Sequence, residues 1–184
     1  MTTAGRCQPP IRHSGISDTV VNEKRRSLAR EVMRDPIHWL AFGFGSGLGP
    51  RAPGTWGSLL AAVAYWLLAP VPLQWLVPAV VIMFIAGIWI CGLSARRLGV
   101  HDHSGIVWYE IVGLLLVLMF LPPEPIWIGA AFLAFTLFDI WKPWPIRDLD
   151  HSVPGGLGIM LDDVLASVYA ALLTVPLQRF LAVP

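Results

Sequence analysis

The stretch LQWLVPAVVIMFIAGIWICGL, from Leu73 to Leu93, decides the class of this fold. It contains no charged residue, and about 20 predominantly apolar residues suffice for a helix to cross a bilayer. The rest of the 184-residue chain agrees, because 55% of its residues are hydrophobic and 14% are charged, against about 25% charged in an average soluble domain. These features predict an integral membrane protein.

Four further apolar runs flank this stretch and predict an all-α fold, a polytopic integral membrane helix bundle. They are Trp56 to Ala69, Ile106 to Leu121, Ile126 to Trp141, and Ile159 to Val175 with a continuation towards Phe180. Because these runs are shorter than a comfortable span, the predicted number of crossings is four to five. The apolar segment from Ile37 to Phe44 is shorter still, and with the Gly/Pro-rich residues after it we expect a re-entrant or interfacial segment.

Lys and Arg residues predict how the runs are oriented. The Pro-rich turns at 69–72 and 122–125 contain neither residue type, whereas the longer connections do. Because Lys and Arg accumulate in cytoplasmic loops, the longer connections are predicted inside and the Pro turns outside. Residues 1–35 are also rich in Arg, and we expect them to form a flexible cytoplasmic N-terminal tail, with the membrane-embedded domain at 36–184. The basic residues of the longer connections are Arg51, Arg96, Arg97, Lys142 and Arg147.

Acidic side chains recur at one end of the predicted spans. Glu110 begins one run, Asp139 ends the next, and Asp162 and Asp163 lie near the start of the last. A central Asp costs about 2.5–3.5 kcal/mol in a membrane helix, so each acid is a functional hypothesis. Several carboxylates at one depth match the oxygen ligands that Mg²⁺ prefers. The alternatives are helix caps or interfacial anchors for single acids, and a divalent-cation transporter or channel for the whole protein.

A segment rich in Gly and Pro, residues 43–58, leads into the first of the runs. Glycines let backbone N–H groups approach an anion, and Ser46, Thr55 and Ser58 add hydroxyl donors, so the segment is a hypothesis for phosphate binding. The ending of a Walker A loop, Gly-Lys-Ser/Thr, is missing. Close packing between helices is the alternative use of these small residues.

Further polar residues lie beside the predicted spans. His101 and His103 precede one run and are candidates for metal or proton handling or for capping, although their spacing is not that of a zinc site. Lys142 and Arg147 follow another run and suit an anionic headgroup, with interfacial anchoring as the alternative. The net charge of +1 comes without a basic stripe, so nucleic acid is not an expected partner.

Three of these segments together resemble the phosphatidylglycerophosphatase A family of bacterial membrane phosphatases. The matching blocks are 43–58, 101–110 and 139–163, and the resemblance extends over about residues 36–180. It implies Mg²⁺-dependent hydrolysis of the phosphomonoester of phosphatidylglycerophosphate to phosphatidylglycerol. The implied location is the bacterial inner membrane, multi-pass, with the active site facing the cytoplasm and a phospholipid as substrate.

The resemblance and the chemistry of the residues together define the expected site. The expected catalytic and metal-binding residues are Glu110, Asp139, Asp162 and Asp163, with Mg²⁺ as the cofactor. The expected substrate-binding residues are Ser46, Thr55, Ser58, His101, His103, Lys142 and Arg147. The chain departs from the family pattern at Tyr109, where an Asp is expected, and a phenol does not replace a carboxylate as a ligand of a hard metal at neutral pH. Ser167 stands where a Gly is expected.

Overall fold

A computed structural model describes residues 14–69, 71–100, 103–146 and 155–181. Within these ranges the chain is entirely helical, without a β-strand, so the predicted all-α class is confirmed. The elements in chain order are α1 (Ser14–Arg34), α2 (Pro36–Ala41), a 3₁₀ segment (Gly43–Leu48), α3 (Pro53–Leu68), α4 (Leu73–Leu98), α5 (Trp108–Leu118), α6 (Pro125–Trp141) and α7 (Gly156–Leu181).

Proline and glycine set several of the helix ends. Pro53 and Pro125 occupy the first turn of α3 and α6, where the missing N–H costs no intrahelical hydrogen bond. Gly99 follows α4 in the left-handed conformation, with φ of 69°, and its N–H caps carbonyls of the last turn. The predicted apolar runs therefore correspond to α3 to α7, and the segment from Ile37 to Phe44 corresponds to α2 and the start of the 3₁₀ segment.

Helix α5 is the centre of the bundle. Nine of its 11 residues are buried, and it packs against α3, α4, α6 and α7. At 1.5 Å per residue it is about 16 Å long, which is about half of a hydrocarbon core of about 30 Å. Helix α5 alone therefore spans only part of the hydrocarbon core, and a crossing at this place also includes the residues that flank it.

Helix α4 presents an apolar face to the exterior. Trp75, Ile82, Ile85 and Trp89 share this face, and each is more than 60% exposed. A soluble monomer rarely exposes so large an apolar patch, whereas a lipid-facing helix requires one. Among the described residues, α4 and α7 are the two helices that are long and apolar enough to cross a membrane. The fold is that of a membrane-associated helical protein.

The helix ends are sorted between the two ends of the bundle. The first turns of α3 and α5, the last turn of α6 and the first half of α7 lie together around one pocket. At the other end, the Tyr65 hydroxyl near the end of α3 donates to the Leu121 carbonyl just after α5, at 2.6 Å. The acids predicted to share one end of the spans therefore do lie at one end.

Helices α1 and α2 pack beside this end of the bundle. Asp35 caps α2 by accepting a hydrogen bond from the Ile37 N–H at 2.9 Å, and it forms an ion pair with Arg97 at the end of α4. Partial burial raises the pKa of Asp35, but these two contacts more than offset that effect and hold the pKa below its usual value. His38 and Ser94 form a second, buried link between α2 and α4, at 2.8 Å.

The described part of the expected flexible tail is thus a helix, α1, that packs on α2 and on the 3₁₀ segment. Residues 1–13 lie outside the described residues. The division of the chain at residue 35 stays a prediction.

Candidate active site

The four predicted acids line one pocket at the end of the bundle. The pocket has a volume of about 330 Å³ and receives side chains from α3, α5, α6, α7 and the connection before α5. Four carboxylates and one ammonium group therefore share a small space. The lining residues are Pro53, Gly54, Ser104, Tyr109, Glu110, Asp139, Lys142, Ile159, Asp162 and Asp163.

Glu110 is positioned by the start of α5. The Val107 N–H donates to the Ala41 carbonyl at 2.9 Å, which ties the residue before α5 to the end of α2. One residue later, the Trp108 indole N–H donates to the Met83 carbonyl of α4 at 3.0 Å. These two bonds fix the first turn of α5, in which Glu110 is buried with 8% of its surface exposed.

The first turn of α3 lies directly against the Glu110 carboxylate. A Cβ atom added at Gly54 would overlap Oε1 of Glu110, and one added at Gly57 would be 3.1 Å from Oε2. Only glycine leaves room at Gly54 for this close approach. The amino end of a helix also favours a negative charge, so α3 is well placed to stabilise the carboxylate.

Asp163 is the most deeply buried of the acids, with 1% of its surface exposed. Its carboxyl group neighbours that of the partly buried Asp139 on α6, and both residues line the pocket. The Oδ2 atom of Asp163 has no hydrogen-bond partner within the described part of the chain. A buried oxygen in this state is unusual and indicates a place for a water molecule or an ion.

Lys142 supplies the positive charge of the pocket. It follows the last turn of α6 in the left-handed conformation, with φ of 43°, and its Nζ atom is 3.0 Å from Oδ2 of Asp162. Neighbouring residues of a helix point about 100° apart. Asp162 therefore contacts Lys142 while Asp163 contacts Asp139, so the two adjacent acids occupy different surroundings.

The donor set suits a hard cation, although it is not a preformed cage. In the described ranges, no three His, Cys, Asp or Glu side chains are close enough together to hold a metal ion on their own. Mg²⁺ usually keeps several waters and binds through one or two carboxylates together with substrate phosphate. The buried Oδ2 of Asp163 and the surrounding carboxylates meet that smaller requirement.

A family model described as phosphatidylglycerophosphatase A matches residues 39–178, which include every described residue of the pocket. The chain belongs to the phosphatidylglycerophosphatase A family. The match begins within α2, so α1 lies outside the region that the family model describes.

Two curated relatives carry the name phosphatidylglycerophosphatase A. The protein from Escherichia coli (strain K12) is 47% identical over 146 residues, which cover 78% of this chain and 84% of the relative. The protein from Haemophilus influenzae is 44% identical over 156 residues, covering 84% of this chain and 96% of the relative. A Bacteroides thetaiotaomicron protein, 42% identical over 139 residues, has a provisional name as a phosphatidylinositol-3-phosphatase and is covered over 86% of its length. No solved structure matches the chain.

The three hydroxyl residues expected to bind substrate do not line the acid pocket. Ser46 lies in the 3₁₀ segment, where its buried hydroxyl has no hydrogen-bond partner among the described residues. Thr55 is exposed in the first turn of α3, and Ser58 is buried one turn further along. Their assignment to substrate binding in the phosphatidylglycerophosphatase A family stays a prediction.

The backbone of the glycine-rich segment is partly engaged with itself. The N–H groups of Gly45 and Gly47 both donate to the Phe42 carbonyl at 3.0 Å, and the Gly49 N–H donates to the Ser46 carbonyl at 3.1 Å. These three donors hold the segment in its compact shape. They are therefore not directed at a phosphate, and the part of the segment that lines the pocket is the first turn of α3.

His103 lines a separate groove beside the acid pocket, and its Nδ1 atom accepts a hydrogen bond from the Gly105 N–H at 3.0 Å. The imidazole thus shapes the turn before α5. His101 and Arg147, which the sequence also placed at the substrate, lie outside the described residues. Lys142 is the one predicted substrate-binding residue that lines the acid pocket within the described ranges.

Tyr109 in the pocket wall and Gly113 behind the pocket were not recognised from the sequence as contributors to the site. Tyr109, the departure from the phosphatidylglycerophosphatase A pattern, lines the pocket beside Glu110. Gly113 lets α5 meet α7, because a Cβ atom there would be 3.1 Å from Cβ of Asp163 and 2.8 Å from the Phe135 ring. Gly113 is three residues after Glu110 and therefore lies on the same face of the helix. A small residue at that place in an apolar helix indicates close packing with a neighbouring helix, which was the evidence for it in the sequence.

Proposed function

We propose that this protein hydrolyses the phosphomonoester of phosphatidylglycerophosphate and releases phosphatidylglycerol and phosphate. The observation that carries the proposal is the single pocket in which α5, α6 and α7 bring together four carboxylates and Lys142. Membership of the phosphatidylglycerophosphatase A family gives the substrate class. The exposed apolar face of α4 suits an enzyme whose substrate is a membrane lipid.

Mg²⁺ is the proposed cofactor. Asp163, with its unpartnered buried oxygen, is the proposed central ligand, and Glu110, Asp139 and Asp162 are the further candidates in the same pocket. When bound, the cation would neutralise phosphate charge and lower the pKa of a coordinated water. Because Asp162 is paired with Lys142, Glu110 is the favoured second carboxylate ligand beside Asp163.

The remaining groups have roles that follow from their charge and position. Lys142 places an ammonium group at the pocket, where it binds phosphate oxygens, and Asp162 orients it from 3.0 Å. In the reaction the oxygen of a water attacks phosphorus, the bond between phosphorus and the glycerol oxygen breaks, and that oxygen takes up a proton. Asp139 is partly exposed and borders the pocket, so we assign it the role of the base that accepts a proton from the attacking water.

We also propose that the bundle crosses the bacterial inner membrane four to five times, with the pocket at the cytoplasmic face. Support comes from Arg51 and Lys142 in the connections at the pocket end and from Arg96 and Arg97 in the last turn of α4, while the described residues of the Pro-rich turns lie at the other end. The 3₁₀ segment would lie at the interface or re-enter the membrane at the pocket end. The two relatives named phosphatidylglycerophosphatase A are bacterial proteins.

A divalent-cation transporter, the alternative considered from the sequence, is not supported. Transport requires polar groups along a path to the far side of the membrane. Behind Glu110, the buried residues of α5 from Ile111 to Leu118 are all apolar or glycine. The relatives are also named as phosphatases rather than as transporters.

The proposed function is tested by phosphate release from the purified protein in a neutral detergent. We expect release from phosphatidylglycerophosphate that requires Mg²⁺, is abolished by a chelator, and falls at least about 100-fold in Asp163→Asn. Phosphatidylinositol 3-phosphate, measured in parallel, tests the substrate named for the Bacteroides relative. Faster hydrolysis of that lipid, or equal release by Asp163→Asn and the parent protein, would overturn the proposal.

A further inference from the structure

Helix α1 forms one wall of a groove that adjoins the acid pocket. The groove has a volume of about 600 Å³, and Arg25 and Arg26 of α1 line it together with the glycine-rich segment and the turn before α5. Pro53 and Ser104 line both this groove and the acid pocket, so the two spaces are neighbours. The full lining is Asn22, Arg25, Arg26, Leu28, Ala29, Gly47, Leu48, Gly49, Pro50, Pro53, His103, Ser104 and Gly105.

The charge of this groove is unbalanced. Its described lining contains two guanidinium groups and no carboxylate. The groove on another side of α1 is different, because Arg30, Arg34 and Arg97 line it together with the acids Glu31 and Asp35. Both Arg25 and Arg26 are exposed, so their charges are available at the groove surface. An anion is therefore attracted to the groove of Arg25 and Arg26, whereas the other groove already contains its own counter-charges.

The wall opposite α1 is close-packed backbone. A Cβ atom at Gly47 would overlap the Gly105 carbonyl, so the glycine-rich segment and the turn before α5 are in direct contact there. This contact makes a rigid wall of the groove, opposite α1. The guanidinium groups of Arg25 and Arg26 lie across the groove from this wall. Guanidinium groups bind phosphate through charge-assisted hydrogen bonds that are often bidentate.

The substrate of the proposed function carries two phosphates, a terminal monoester and a diester, separated by one glycerol unit. Four carboxylates in the acid pocket repel any phosphate that a cation does not neutralise, whereas the adjoining groove attracts it. We propose that Arg25 and Arg26 form a second phosphate-binding site. It takes the diester phosphate of the substrate while the monoester lies in the acid pocket. This inference rests on the proposed function, and it assigns a specificity role to a helix outside the matched family region.

The test compares Arg25→Gln/Arg26→Gln with the control Arg30→Gln, which removes the same charge type from the same helix but from the other groove. Activity is measured in neutral detergent micelles, which remove attraction to a charged membrane surface. For the double variant we expect KM for phosphatidylglycerophosphate to rise about tenfold with kcat unchanged. The charge-preserving variant Arg25→Lys/Arg26→Lys should keep KM within about threefold of the parent, and the control should match the parent.

Inhibition by inorganic phosphate separates the two sources of a phosphate in this groove. A rise in KM with an unchanged inhibition constant identifies the substrate diester, whereas a raised inhibition constant with unchanged KM identifies released phosphate and still supports the site. Equal KM and equal inhibition constants in the double variant and the control, with parent activity intact, would overturn the second site alone. A parent protein that releases no phosphate from the lipid would overturn the proposed function and this inference together. Equal melting temperatures of the variants exclude misfolding as the cause.

Discussion

Gly54→Ala is the substitution whose effect the geometry specifies most closely. A methyl group on this residue would overlap Oε1 of Glu110, and ordinary contact requires about 3.4 Å. The carboxylate must then move by on the order of 1 Å, a misplacement that can cost about 100-fold in rate when it affects a positioned catalytic group. We therefore expect kcat/KM for phosphatidylglycerophosphate to fall about 100-fold, close to the loss in Glu110→Gln.

The stability of this variant should change little. Alanine is favoured over glycine in a helix by about 1 kcal/mol, whereas overpacking costs about 1–3 kcal/mol. The net effect on the free energy of unfolding is therefore about 0–2 kcal/mol of destabilisation. Activity and melting temperature are measured together, so that loss of the site can be separated from loss of the fold.

Gly129→Ala is the matched control. Gly129 lies in α6, and a Cβ atom there would have no neighbour within 4 Å, so this variant should keep full activity. If Gly54→Ala and Gly129→Ala show the same kcat/KM, the contact between α3 and Glu110 does not matter for catalysis. The proposed role of Glu110 would then have to be abandoned.

Substitutions at four other positions test separate parts of the structure. Lys142→Gln should lower kcat/KM about 100-fold, and Lys142→Arg should retain part of the parent activity. If Lys142→Gln is as active as the parent protein, Lys142 does not bind the phosphate. Tyr109→Asp restores the acid of the family pattern and should lower the Mg²⁺ concentration that gives half-maximal activity. If that concentration does not change, the residue at position 109 is not a metal ligand. Tyr65→Phe loses one buried hydrogen bond at the far end and should cost about 0.5–1.5 kcal/mol without changing kcat. Because the folded-state pKa of Asp35 is lowered, its stabilisation is present above the unfolded pKa of about 4 and is lost as pH falls through the folded value. The melting temperature of Asp35→Asn should accordingly lie below that of the parent at neutral pH and converge with it in acid, and a constant difference would contradict the ion pair with Arg97.

Helices α3 to α7 were predictable because apolar runs and breakers coincide in this sequence, whereas α1 lies in residues expected to be a flexible tail. The ends of these helices were less predictable, and each difference between a helix end and the end of its apolar run has a local cause. Helix α4 continues to Leu98, beyond the apolar run ending at Leu93, because Arg96 and Arg97 are good helix formers that suit a last turn. Helix α5 starts two residues after the run begins at Ile106, because Val107 is pinned to α2 by a backbone hydrogen bond.

The gathering of the acids was also predictable, since alternation of charged and uncharged connections places alternate helix ends on one side. The sequence did not predict that Lys142 pairs with Asp162 or that Asp139 lies beside Asp163. Those pairs depend on the rotation and lateral packing of α6 and α7, which neither apolar length nor charge bias specifies. The same limit applies to Gly113, whose importance appears only when α7 is seen against it.

The sharpest measurement is cleavage of the chain by Fe²⁺ substituted for Mg²⁺, with ascorbate and peroxide, followed by mass spectrometry of the fragments. Radicals formed at a bound iron cut only the nearby backbone. A single cation held by Glu110 of α5 and Asp163 of α7, beside Asp139 of α6, predicts cuts near all three residues, all suppressed by excess Mg²⁺ and absent in Asp163→Asn. Cuts confined to one of these segments, or unchanged in that variant, would contradict a shared metal site.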